Sequence, residues 1–182
     1  MGPTHRIEVP GGVFHITSRG NAKAEIFRDD LDYMEFLRKL AAVVEECRWR
    51  CHAYCLLPNH YHLLVETPEP TLADGMHRLN GRWARWFNKR YRRVGHVFQG
   101  PYGAENVVSD EHLLELFRYL SLNPVRAGLC RAPHDWPWSS YAATVGLAEP
   151  PSFLTLDLVE SLFGADGLRT LVAAAPVRPQ PA

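Results

Sequence analysis

The chain has 182 residues, of which 46% are hydrophobic and 22% charged, and its 20 basic and 20 acidic residues give a formal net charge of zero. These values are ordinary for a soluble globular protein with one domain and a tail. No stretch approaches the roughly 18 apolar residues of a membrane span, and no N-terminal apolar run resembles a signal peptide. We therefore expect a cytoplasmic protein, without disulfides and without membrane contact.

Apolar residues that alternate or recur at helical spacing predict the secondary structure. In chain order, the elements are a strand at 13–19, a helix from Asp29-Asp30 to about Cys47, strands at 49–57 and 60–67, a helix capped by Thr71 and running to about Arg93, a strand region at 95–107, and a helix capped by Ser109 and running to about Leu122. This order predicts an α+β fold, a ferredoxin-like or RRM-like split β-α-β sandwich with an antiparallel sheet.

The remaining third of the chain carries weaker signals. Residues 125–145 form a Pro- and Trp-rich loop in which a short helix is expected near Ser139, and residues 155–163 predict one more short helix. From about Ala173 the composition becomes Ala/Pro-rich, which is typical of disorder. We expect one domain at residues 1–145, followed by a C-terminal extension at 146–182.

Three of the four cysteines, Cys47, Cys51 and Cys55, recur every four residues and raise the question of a zinc site. The pattern lacks the C-x-x-C pair that is typical of zinc knuckles. If residues 49–57 form a regular strand, the odd-numbered residues, Cys51 and Cys55 among them, share one face. Buried thiols that pack as small hydrophobic groups are therefore favoured over zinc ligands.

Two histidines open the strand predicted at 60–67. Because strand side chains alternate, His60 and His62 lie on one face, whereas Tyr61 and Leu63 lie on the opposite, apolar face. Two imidazoles on one face are half of a metal site. Taken alone, the pair fits a solvated polar face equally well.

One tyrosine lies off the apolar stripe of the helix that follows Ser109. The stripe is formed by Leu113, Leu116, Phe117 and Leu120, whereas His112, Glu115, Tyr119 and Asn123 cluster on a polar face. Tyr119 and Asn123 are neighbours there if the helix persists to Asn123, although Pro124 predicts that it ends or kinks. The arrangement suits a nucleophile beside a metal ligand; the alternative is a half-buried tyrosine whose hydroxyl is hydrogen-bonded.

Basic residues dominate the stretch 75–104, which contains no acidic residue. Its candidates for phosphate contact are Arg78, Arg82, Arg85, Lys89 and Arg90, and the absence of a compensating acid within the stretch favours this role over a solvated face. Outside the stretch, Arg19 and Arg126 are candidate phosphate or base contacts. His15 and His112 could support the site or contact DNA, or be ordinary polar residues.

Several motifs together resemble a known family. His60-Tyr61-His62 resembles the HUH motif, histidine–bulky hydrophobic–histidine, and residues 118–129 resemble the nucleophile helix of single-tyrosine HUH transposases. Supporting motifs stand at 15–21, 86–90, 95–100 and 138–141, in the family's order. The resemblance is closest to the REP-associated tyrosine transposases. Two positions depart from the family pattern, since Pro101 stands where a basic residue is usual and Ser121 where an acid is frequent.

The resemblance implies breakage and rejoining of single-stranded DNA at REP-like hairpins. Tyr119 would form a 5′-phosphotyrosine and release a 3′-hydroxyl, with catalytic His60 and His62 and, as third ligand, Asn123 holding Mg²⁺ or Mn²⁺. The implied protein is a monomer or a homodimer. Two alternatives stay open, namely a replication initiator or relaxase with the same chemistry, and a non-catalytic nucleic-acid-binding domain.

Overall fold

A computed structural model describes residues 9–173. Its elements are β1 Gly12–Arg19, α1 Asp30–Glu46, β2 Arg50–Leu57, β3 His60–Thr67, α2 Leu72–Arg90, β4 Gly103–Val107, α3 Asp110–Arg126, α4 Tyr141–Thr144, α5 Asp157–Leu162 and α6 Gly164–Ala173. The sheet has the strand order β2-β3-β1-β4, and every neighbouring pair is antiparallel. The predicted α+β split β-α-β fold is therefore confirmed, whereas the disordered end predicted beyond Ala173 lies outside the described residues.

The first face of the sheet packs against α1 and α2. Tyr61 and Leu63 of β3 are fully buried there, as the alternation predicted, together with Phe36 of α1 and Trp83 of α2. The ring of Phe36 lies 4.8 Å from that of Tyr61 and 5.4 Å from that of Trp83, centroid to centroid. Burial of these large side chains supplies most of the hydrophobic stabilisation on this face.

The second face of the sheet packs against α3 and the C-terminal helices. Ala53 of β2 and Leu64 of β3 are buried on this face, and the apolar stripe of α3 packs against them. Val159 of α5 and Leu168 and Val172 of α6 are buried in the same cluster. The segment after residue 145 thus contains two helices, not the one predicted. Both pack against α3 in this cluster.

The predicted faces of residues 49–57 are wrong because β2 contains a bulge. The pairing register with β3 shifts between Cys51 and Ala53, so His52 is the extra residue. Beyond it the alternation is reversed. Cys51 therefore packs with Tyr54 in the first core, which lies between the sheet and helices α1 and α2. Ala53 packs in the second core, which lies between the sheet and α3.

The cysteines Cys47, Cys51 and Cys55 are buried free thiols, in agreement with the interpretation of their spacing. Burial raises the pKa of the Cys51 thiol to about 12. A thiol with so high a pKa stays protonated at neutral pH and is a poor metal ligand.

One predicted side-chain cap and two predicted element bounds need correction. The Thr71 hydroxyl does not cap α2, because it accepts a hydrogen bond from Trp49 Nε1 at 3.0 Å. Helix α2 ends at Arg90, two residues before Arg92, which has a positive φ of 50°. Only Gly103–Val107 of the region 95–107 is a strand of the sheet, since the preceding loop is held by single contacts such as the bridge of Phe98 to Gly20.

Helix α3 continues through Pro124 to Arg126, so the prediction that it ends near Leu122 is wrong. A proline this close to the end removes only one intrahelical hydrogen bond. The last turn is closed by Ala127 N–H, which donates to Asn123 O at 2.9 Å, and both Asn123 and Pro124 are buried. Asn123 therefore has helical geometry, one turn after Tyr119.

Across residues 9–173, every helix is too short or too polar to cross a membrane.

Candidate active site

The two histidines of β3 lie on the sheet face that α3 covers. His60 is paired with Arg19 of β1 and His62 with Thr17. The rings of His60 and His62 are 5.1 Å apart, centroid to centroid, and nearly perpendicular. His62 is buried, with 4% of its surface exposed, whereas His60 is half-buried.

Hydrogen bonds fix the ring of His60. The side-chain oxygen of Asn59 lies 2.6 Å from His60 Nδ1, and the amide nitrogen of Asn59 donates to Lys23 O at 3.2 Å. Because an amide oxygen only accepts, His60 Nδ1 must donate, which leaves the lone pair on Nε2. An imidazole held in this way by a second residue is the usual arrangement of a metal-binding histidine.

His62 has a different partner. Its Nδ1 lies 3.0 Å from Nε2 of His15 on β1, and the two rings are stacked, with centroids 5.3 Å apart. Nε2 of His62 is buried and has no hydrogen-bond partner among residues 9–173. A buried ring nitrogen without a partner is costly unless a ligand occupies it.

Both histidines are neutral at physiological pH. Burial, assisted by the charge of Arg19, lowers the pKa of His60 to about 4. Burial also holds the pKa of His62 well below its ordinary value, with smaller contributions from His60, His15 and Arg19. The neutral imidazole is the form that binds a metal ion.

Tyr119 of α3 lies against these rings. Its ring is edge-on to His62 at 5.4 Å and to His15 at 6.4 Å, centroid to centroid. The tyrosine is half-buried, as one of the two interpretations predicted, yet its hydroxyl forms no hydrogen bond with any described residue. Tyr119 thus lies against His62 and His15 of the same chain.

An open cleft of about 260 Å³ borders Tyr119. It is lined by His112, Glu115, Leu116, Arg118, Tyr119 and Arg126. The guanidinium of Arg126 lies 5.9 Å from the centre of the Tyr119 ring. An anionic group that enters the cleft would therefore approach Tyr119 close to the positive charge of Arg126.

Asn123 is fully buried, and neither its side-chain oxygen nor its nitrogen has a hydrogen-bond partner in the described part of the chain. No group of three or more His, Cys, Asp or Glu residues that could hold a metal occurs within residues 9–173. A third protein ligand beside His60 and His62 would therefore be an amide or a hydroxyl. The unpartnered oxygen of Asn123 is of the kind that a divalent ion accepts as a ligand.

Three of the predicted DNA-contacting arginines are engaged by acids from outside the basic stretch. Arg78 pairs with Asp74 at 2.8 Å and with Glu46 at 3.3 Å, and Arg82 pairs with Glu46 at 2.8 Å. The inference that these charges lack a compensating acid is therefore wrong.

Arg90 is held in the same way. Its guanidinium pairs with Asp29 at 2.7 Å and also with Asp32, which is buried and accepts a hydrogen bond from Tyr91 as well. This network joins the start of α1 to the end of α2. Arg90 thus has a structural role that its position in the basic stretch did not reveal.

The other basic candidates differ from these three. Arg85 and Lys89 are exposed on α2 and form no ion pair with residues in the range 9–173. Arg19 is exposed at the end of β1, opposite His60. Together with Arg126 beside Tyr119, these four side chains are available to an added phosphate.

His15 is the residue of this site whose part the sequence left open. The alternation of side chains predicts that His15 lies on the polar face of β1. Its contact with His62 depends on the register in which β1 pairs with β3, which the sequence does not give. On its other side, β1 pairs with β4, which brings Glu105 opposite His15. Glu105 in turn lies 3.6 Å from Nε2 of His112 on α3.

Residues 9–123 match the family model described as IS200-like transposases. The chain belongs to this family of transposases, and the resemblance noted in its motifs is confirmed.

The particular relatives narrow the class. A protein of Haemophilus influenzae named as a REP-associated tyrosine transposase is 30% identical over an alignment 123 residues long, and the match covers 60% of this chain and 69% of the relative. A solved structure of a REP-associated tyrosine transposase bound to a REP hairpin superposes with a TM-score of 0.68 at 17% identity, covering 87% of this chain and 93% of the other. At that identity the structural likeness supports the fold.

Proposed function

We propose that this chain cleaves and rejoins single-stranded DNA at REP-like hairpins through a 5′-phosphotyrosine on Tyr119, in the manner of the HUH enzymes. One observation carries the proposal. A half-buried tyrosine with an unengaged hydroxyl stands edge-on to a buried, neutral histidine whose outer nitrogen has no partner. A nucleophile and a ligand nitrogen thus meet beside an open, basic cleft.

The reaction needs one exchange of bonds at phosphorus. The Tyr119 oxygen attacks the phosphodiester, a P–O bond to tyrosine forms, and the bond to the 3′ oxygen breaks. The tyrosine proton passes to solvent, and the departing 3′ oxygen takes one up. Because the new bond is also a phosphodiester, a 3′-hydroxyl can later reverse the step and rejoin a strand.

The residues present fit a divalent ion, which by resemblance is Mg²⁺ or Mn²⁺. His60 and His62 would hold it through their Nε2 atoms, and Asn123 through its amide oxygen. A bound ion of this kind stabilises negative charge on phosphate oxygens and on the leaving oxygen. Asn59 and burial keep the His60 ring oriented and neutral for that purpose.

The DNA path that we propose uses the unengaged cations. Arg126 lies beside the tyrosine and Arg19 opposite His60, where they can contact the phosphates nearest the cleavage point. Arg85 and Lys89 lie on α2, on the other side of the sheet from Tyr119, and would contact DNA farther from the cleavage point. Hairpin DNA as the substrate is supported by the REP hairpin bound in the structural relative.

A single copy of the chain supplies both the tyrosine and the histidines, since Tyr119 and His62 contact each other within it. We therefore propose that the tyrosine and the histidines of one site come from the same chain.

A denaturing gel tests the proposal. The protein is mixed with hairpin oligonucleotides carrying single-stranded flanks, with Mg²⁺ or Mn²⁺, and a covalent protein–DNA band is expected. The band should vanish in Tyr119→Phe and persist in Tyr91→Phe, which removes the hydroxyl that binds Asp32 on the opposite side of the sheet. Tight hairpin binding without any covalent band in the wild type would instead support a non-catalytic DNA-binding domain.

A further inference from the structure

His15 occupies the centre of the site without being a candidate ligand or nucleophile. Its Nε2 is 3.0 Å from Nδ1 of His62, its ring is stacked on that of His62, and the Tyr119 ring stands edge-on to it. It thus contacts both the proposed ligand and the proposed nucleophile.

The hydrogen bond between the two histidines can run in either direction, and the two directions have opposite consequences. If His15 donates, His62 carries its proton on Nε2, which is buried and has no acceptor among the described residues. If His62 donates from Nδ1, its Nε2 is a lone pair. Nε2 of His62 has no partner among the described residues in either case, but only the second direction presents a lone pair to a metal ion, so the proposed ligand role favours the second.

The surroundings of His15 fit an acceptor role for its Nε2. Glu105 lies directly across from His15 in the β1–β4 pairing, and its carboxylate is near enough to His112 to form an ion pair at 3.6 Å. The charge of Glu105 acts on His15, although burial lowers the pKa of this imidazole more strongly and keeps it neutral. A neutral His15 that accepts through Nε2 carries its proton on Nδ1.

We propose that His15 is a positioning residue, which accepts a hydrogen bond from Nδ1–H of His62 and so keeps Nε2 of His62 unprotonated for the metal ion. The inference deepens the proposed function, because it rests on His62 as a ligand. Partners of this kind fix the tautomer and the ring orientation of metal-binding histidines.

The first test is the tautomer of His62 in the metal-free protein, read from the ¹⁵N chemical shifts of its ring. We expect a protonated Nδ1 and an unprotonated Nε2 in the wild type. His15→Gln, whose side-chain oxygen can accept the same hydrogen bond, should keep that tautomer. His15→Phe, which keeps a flat ring but has no acceptor, should shift His62 toward protonation at Nε2.

The second test is Mn²⁺ affinity, measured by calorimetry. His15→Phe should bind Mn²⁺ about 10- to 100-fold more weakly than the wild type. His15→Gln should stay close to the wild type, as should the control His96→Gln in an exposed loop.

The outcomes separate this inference from the proposed function. A wild type with Nε2–H on His62, or a His15→Phe variant with unchanged tautomer and unchanged Mn²⁺ affinity, overturns the role of His15 and leaves cleavage by Tyr119 intact. A wild type that binds no Mn²⁺ but has the expected tautomer overturns the metal site and supports the hydrogen bond. The wild-type spectrum decides even if His15→Phe does not fold.

Discussion

The ring of Tyr119 stands edge-on to the ring of His62, with 5.4 Å between the two centroids. The tyrosine belongs to α3 and the histidine to β3, so their contact depends on how α3 lies on the sheet. Leu116, Phe117 and Leu120 fix that position by packing in the second core. The site is thus set by the same contacts that stabilise the fold.

The arginines of α2 should separate into two functional groups. Replacing Arg85 and Lys89 by Ala should weaken hairpin binding and reduce the dependence of log Kd on log salt concentration by about one for each lost phosphate contact. Replacing Arg78 by Ala should leave hairpin affinity nearly unchanged, because its guanidinium already binds Asp74 and Glu46. Fluorescence anisotropy over a salt series measures both quantities, and the opposite order would contradict the proposed DNA path.

Asn123 should show a conflict between stability and function. Its amide is fully buried without hydrogen-bond partners in residues 9–173, which costs about 1–3 kcal/mol. Asn123→Leu, of similar size, should therefore unfold at the same or a higher urea concentration in metal-free buffer, while Mn²⁺ affinity and cleavage fall. A clearly destabilised variant with normal Mn²⁺ affinity would show that the amide is structural.

The buried histidines should make stability fall in weak acid. The pKa of His60 is lowered to about 4, and burial also lowers the pKa of His15, His52 and His62. Below about pH 6.5 these histidines become protonated in the unfolded chain but stay neutral in the folded chain. Each of them therefore lowers the unfolding free energy by up to about 1.4 kcal/mol for each pH unit that the pH falls.

Urea unfolding in the presence of EDTA at pH 7.5, 6 and 5 measures this loss. His52→Leu, at the bulge of β2 and outside the proposed site, should make the pH dependence shallower. Equal stability at pH 7.5 and pH 5 would show that these imidazoles are protonated in the folded state.

Two glycines of α2 should respond to alanine in opposite directions. A Cβ on Gly75 would lie 2.1 Å from the Trp49 ring, so Gly75→Ala should destabilise the fold by about 1–3 kcal/mol. A Cβ on Gly81 would meet only the end of the flexible Arg85 side chain, at 3.4 Å, so Gly81→Ala should stabilise the helix by about 0.5–1 kcal/mol. Thermal unfolding of the two variants measures the difference, and equal shifts would contradict the packing of Trp49 on α2.

Local patterns were sufficient to predict the order of the elements, the histidine face of β3 and the polar face of α3. Patterns of this kind depend only on neighbours along the chain. Asp74 lies four residues before Arg78 on the same helix and could be read locally as its partner. The pairing of Arg82 with Glu46 and of Arg90 with Asp29 could not be predicted in this way, because these acids belong to α1 and its start.

Strand register is a second feature that could not be predicted from local sequence patterns. The contact of His15 with His62 follows from the pairing of β1 with β3, and the bulge at His52 reverses the faces of β2. Helical geometry at Asn123 depends on burial of the last turn of α3, which outweighs the local preference of Pro124. Such outcomes are decided by packing between elements, which a single sequence does not display.

The most direct measurement is the identity of the residue that carries the DNA. The covalent product formed with a hairpin oligonucleotide is digested with nuclease and trypsin and analysed by mass spectrometry. Trypsin cleaves after Arg118 and Arg126, so residues 119–126 form a peptide with Tyr119 as its only tyrosine. We predict a nucleotide attached to that peptide through a phosphodiester. Attachment to a peptide with any other tyrosine would contradict the account.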